Sequence, residues 1–200
     1  MNFKPTKENA NNYVSQIGTD ITLISFLAVI TVFFIGALIP KFDSYDLSIK
    51  IPISFFIIST LALLFAALIL SNASQRITEG NYKESEKYLS YGYAFSEYLG
   101  VYLLTLSIPL TVNIITADMY LRTVTFLAVI LGLLFYQLMG FSNIKDNFSK
   151  NHKKLSILSI ILAISLFFSQ IYNFHFVIIS IIFIVYILLI TLFAPIDNFQ

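Results

Sequence analysis

Seven residues in the middle of the chain are spaced so that one helix face would collect most of its hydrogen-bonding groups. At about 100° per residue, Tyr91, Tyr98, Tyr102, Thr105, Pro109, Asn113 and Thr116 fall in one sector of a helix through the apolar stretch 93–116. Hydrocarbon is a poor solvent for phenols, hydroxyls and an amide, so such a face turns toward neighbouring helices or a hydrated cavity. Pro109 has no N–H to give the Thr105 carbonyl, and its ring displaces that carbonyl, so a kink with a freed acceptor is expected there. The stripe then has two uses. It can bond helices together, at about 0.6 kcal/mol per bond, or it can line a path for a solute or ion.

Glu97 is the acidic residue placed within an apolar span. By helical geometry it lies about 115° from the stripe and about one turn inside the end of the span. It serves there either as an interfacial anchor among Tyr93 and Tyr98 or as a proton- or cation-binding carboxylate. Gln137, beside Tyr136, is a second polar side chain at depth. Counted from the span centres, it and Tyr102 lie roughly 6–8 Å to the same side of the midplane, with Tyr186 in that half as well. An amide and two phenols could form a structural hydrogen-bond cluster or the polar wall of a pocket. The basic stretch with Lys150, His152, Lys153 and Lys154 adjoins a span, and its lysines are candidate contacts for anionic lipid headgroups.

Other chemistry is missing. There is no HExxH, Gly-rich phosphate loop or GxSxG, and no acidic cluster within a span. Cysteine is absent, which removes disulfides, thiolate nucleophiles and thiolate metal sites. His152 and His175 are expected on opposite sides of the membrane, where they cannot share a metal. No catalytic residue, cofactor or metal is assigned, and the chain is not expected to be an enzyme.

The elements that must hold these residues follow from composition. Of 200 residues, 58% are hydrophobic and 12% charged, and the mean hydropathy is +0.82. A soluble domain carries about 25% charged residues. A net charge of +1 gives no reason to expect nucleic acid as a partner.

Six segments approach the roughly 20 apolar residues that cross a bilayer: 21–39, 51–70, 93–116, 123–141, 155–171 and 174–193. They lack the alternation of barrel strands, and lipid offers backbone groups no partner, so each should be an α-helix. Pro40 and Pro195 close the first and last spans, and Pro52 sits in the first turn of the second. Residues 1–20 form a polar N-terminal arm and 195–200 a short tail. Tyr172 and Asn173 alone separate the last two spans, which forces a tight antiparallel hairpin if both are present.

Six spans put nine basic residues on one side (Lys4, Lys7, Arg76, Lys83, Lys87, Lys145, Lys150, Lys153, Lys154) and three on the other (Lys41, Lys50, Arg122). Short basic loops stay inside, so both termini are expected to be cytoplasmic. Phe26-Leu27-Ala28-Val29-Ile30 recurs as Phe126-Leu127-Ala128-Val129-Ile130, a faint echo of the inverted repeats of transporters.

The expectation is an all-α, six-span bundle in the cytoplasmic membrane of a microbe, whose bare apolar faces meet lipid and permit a homo-oligomer or a partner subunit. Two functions fit it: a small transporter or channel using the proline-kinked third span, or a non-catalytic membrane subunit whose stripe is packing glue.

Overall fold

The computed structural model describes residues 4–40, 47–138 and 152–193. Within them the apolar runs are helical and no residue is in a strand. Six helices follow one another: α1 (Ala10–Leu38), α2 (Leu47–Thr78), α3 (Tyr82–Ile115), α4 (Met119–Leu138), α5 (His152–Ile171) and α6 (Phe176–Phe193). Among the described residues, α1, α2, α3 and α6 are long and apolar enough to cross a membrane, and apolar stretches also run through Met119–Phe135 of α4 and Ile157–Ile171 of α5. The chain thus has the apolar helices of a multi-pass membrane protein.

Tertiary packing moves several boundaries away from those the apolar runs suggest. α1 starts at Ala10, inside the polar arm, because Ile17 is fully buried and Tyr13 and Val14 pack on the same core. α2 starts at Leu47, so Pro52 lies inside the helix rather than in its first turn. There its missing N–H withholds the intrahelical bond from the carbonyl of Ser48, the ordinary consequence of a proline beyond the first turn. Tyr172 to His175 form a turn with positive φ at Asn173 and His175, and α5 and α6, the helices on either side, pack against each other.

The third span is one helix, but not one geometry. Between Phe95 and Tyr102 it widens into an eight-residue π-helical segment. π turns bond i to i+5, so each residue advances by less than the α-helical 100°. The two halves of α3 are therefore out of phase with the uniform helix assumed in placing the stripe.

α3 is also the partition of the molecule. In its most apolar stretch 67% of the residues are buried, against 22% for α1. Leu89 and Tyr93 join Ile17, Ile24, Leu63 and Leu70 in a core between α1, α2 and α3. Tyr98, Tyr102, Leu106 and Leu110 join Phe126, Phe167 and Phe183 in the larger core toward α4, α5 and α6. Gly92 and Gly100 let α2 come close: a Cβ on them would stand 2.7 Å and 2.6 Å from the Cδ2 atoms of Leu70 and Leu63.

Outward, α1 presents Phe26, Val29 and Phe33, a surface suited to lipid. The FLAVI echo does not carry equivalent packing. Phe26 is 62% exposed where Phe126 is 8% exposed, and Ala28 is buried where Ala128 is exposed.

Candidate functional site

α3 carries two polar clusters, one about its middle and one at its C-terminal end. The first begins on α1, where Asp20 is the last polar residue before the apolar run from Ile21. The hydroxyl of Tyr93 donates to Asp20 Oδ2 at 2.7 Å. One turn on, in the π segment, stands Glu97. Its Oε2 is buried and has no hydrogen-bond partner, while the residue as a whole is partly exposed. Four residues beyond Tyr93, Glu97 stands about one helical turn from the Tyr93–Asp20 bond. Two acidic groups share one weakly solvated place, held together by packing rather than by opposite charge.

The π segment is supported from α2. Ser59 Oγ donates to the Gly100 carbonyl at 2.7 Å, taking up an acceptor that the widened turn offers. Ser96 donates to the Tyr93 carbonyl at 3.1 Å. π turns within α-helices often mark functional positions, and this one holds Glu97, Tyr98 and Tyr102.

The second cluster follows Pro109. Asn113 Nδ2 donates to Gln170 Oε1 at 2.9 Å, and Gln170 Nε2 donates to the Leu110 carbonyl at 2.9 Å. From α4, Arg122 donates through Nε to the Thr116 carbonyl at 2.6 Å and through Nη2 to the Asn113 carbonyl at 2.7 Å. The last carbonyls of a helix have no partner within it, and here the Arg122 guanidinium from α4 closes those of Asn113 and Thr116. Thr111 Oγ1 and Asn113 Oδ1 stay buried without partners.

The stripe is only partly brought together. Tyr98 and Tyr102 are buried in the larger core and Tyr186 packs against it. Tyr102 accepts a bond from Ser159 on α5 at 3.0 Å. Thr105 turns its hydroxyl back to the Val101 carbonyl at 2.6 Å, and Ser107 does the same to Leu103 at 2.6 Å. Such back-bonding within a helix often bends it. Gln137 lies in α4, but its side chain is outside the described residues, as are Lys150 and the side chains of Lys153 and Lys154. A cavity of about 510 Å³ between α5 and α6 is lined by Ser165, Phe168, Ser169, Tyr172, Phe174 and Ile179, and by none of the stripe residues. Among the described residues no three His, Cys, Asp or Glu side chains gather as a metal site would require.

Sequence reasoning missed Asp20, Gln170 and Arg122 as members of these clusters. Asp20 had one visible signal, its place at the edge of an apolar run. Arg122 and Gln170 had none beyond lying near span ends. No family model matches the chain, and no curated protein or solved structure matches it either.

Proposed function

We propose that the protein is a non-enzymatic, six-span membrane protein with both termini cytoplasmic, which moves a small solute or ion across the bilayer along a path lined by α3. The observation that carries this reading is the interruption of the most buried helix: eight π-helical residues that include Glu97, one carboxylate oxygen of which is buried without a partner, followed by Pro109. Departures from α geometry at membrane depth leave backbone acceptors and polar side chains that lipid cannot satisfy, and transporters place binding sites at such interrupted helices. Flux of small cations and neutral solutes into liposomes carrying the purified protein tests it. Flux lost in Glu97→Gln supports the path, and no flux for any solute or ion gradient sinks it.

A second reading has its own support. Ser159–Tyr102, Asn113–Gln170 and the Arg122 bonds join α3 to α4 and α5, as expected of a membrane subunit whose polar groups are glue. An intact, stable protein with no flux, purifying as a homo-oligomer or with another membrane protein, would favour that role.

A further inference from the structure

We propose that Asp20, Tyr93 and Glu97 form a binding site for one exchangeable proton, between α1 and the π segment of α3. Three observations converge on it. The Tyr93 hydroxyl fixes Asp20 at 2.7 Å, so one carboxyl is already committed to a donor. Glu97 Oε2 is buried and accepts from nothing, and a buried acceptor left bare is a cost that a native structure removes with a partner. Glu97 lies about one helical turn beyond Tyr93, which places a second carboxyl beside the Tyr93–Asp20 bond.

Two carboxyls that share a site share a proton more readily than they both ionise. Protonation takes H⁺ from hydronium in the surrounding solution, forms one O–H bond on Glu97, and reduces the negative charge of the pair by one. The new O–H is a donor where donors are scarce.

The surroundings leave the proton without a competitor of equal fit. α1 contributes Tyr13 and Asp20, and α3 contributes Tyr93. α2 packs here through Leu63, Ala66, Leu70 and Ala73, and the titratable group of α6 is Tyr186. Calcium takes six to eight oxygens and zinc three or four protein ligands, but the described residues offer no third carboxylate or imidazole. A proton needs one oxygen, and Oε2 is that oxygen.

Infrared difference spectra of the purified protein in nanodiscs, recorded as pH is stepped, read the carboxylic-acid carbonyl band directly and require no transport. The wild type should show one buried acid band that appears and disappears reversibly. Glu97→Gln should lose it, Glu97→Asp should keep a displaced band, and Asp20→Asn should move the titration midpoint. A wild type without such a band, a band unchanged in Glu97→Gln, or a midpoint indifferent to Asp20→Asn overturns the site. If Glu97→Gln does not fold, the Glu97→Asp and Asp20→Asn results decide alone. A band that sodium chloride abolishes and choline chloride does not would overturn the proton in favour of a metal cation. A band that behaves as expected in a protein without flux would leave this site standing and remove the transport reading.

Discussion

The two polar clusters on α3 differ in what they lack. Beyond Pro109, acceptors meet donors in quantity: Arg122 reaches the helix-end carbonyls of Asn113 and Thr116, and Gln170 reaches the carbonyl of Leu110. At mid-helix the Tyr93 hydroxyl is taken by Asp20, and Glu97 Oε2 has no donor. Buried polar networks hold a fold when satisfied and weaken it when not. The cluster beyond Pro109 therefore has the character of a clamp on the helix end, although Thr111 Oγ1 and Asn113 Oδ1 within it stay bare. The Glu97 cluster leaves a carboxylate oxygen bare at some cost in stability, which is where function is sought.

The contrast is tested most strongly by Arg122→Ala. Loss of two charge-assisted bonds to otherwise open carbonyls should lower unfolding stability by about 2–3 kcal/mol, read as a fall in melting temperature in detergent. An unchanged melting temperature would mean that the clamp holds nothing. Next in size is Gly100→Ala, whose methyl would meet Leu63 at 2.6 Å beneath the Ser59 bond. Overpacking of this kind costs about 1–3 kcal/mol, and a neutral result would show that α2 can yield.

Pro109→Ala should leave stability level or raise it, since an interior proline costs a helix about 3 kcal/mol, and should reduce any flux. A mutant that melts earlier with unchanged specific flux would instead assign the kink to packing. Glu97→Gln supplies the opposite sign to Arg122→Ala: melting temperature should hold or rise by the equivalent of up to about 1 kcal/mol, as expected when a bare charge is removed from a buried place. A steep fall would show that Glu97 belongs to a clamp of its own. Smallest is Lys4→Ala, which removes the 3.0 Å pair with Glu86. Exposed ion pairs contribute about 0–1 kcal/mol, so a melting shift near the error of measurement is expected.

The helical class was legible because hydrocarbon-length apolar runs leave few alternatives, and Pro109 was legible because proline acts through its own chemistry. The start of α1 was not. Composition assigned residues 10–20 to an arm, whereas burial of Ile17 makes them helix, and that brings Asp20 to Tyr93. The π segment was hidden for a different reason, since nothing in Phe95–Tyr102 marks it by residue type. The choice between α and π turns rests on packing against α2, through Gly100 and Ser59. Arg122 and Gln170 are both near span ends, but which carbonyls they meet depends on which helices are neighbours. A single sequence does not state that.

The widened turn also has a consequence in the arithmetic of chain length. A π turn holds one residue more than an α turn, so deleting one residue between Phe95 and Tyr102 would let the segment relax toward α geometry. That relaxation would rotate one half of α3 against the other by roughly 100°. Glu97 would then swing away from Asp20 if Asn113 kept Gln170, or Asn113 would leave Gln170 if Glu97 stayed. The surplus residue is thus what allows a single rod to keep two appointments, one with α1 and one with α5, that a regular helix of this sequence could not keep together.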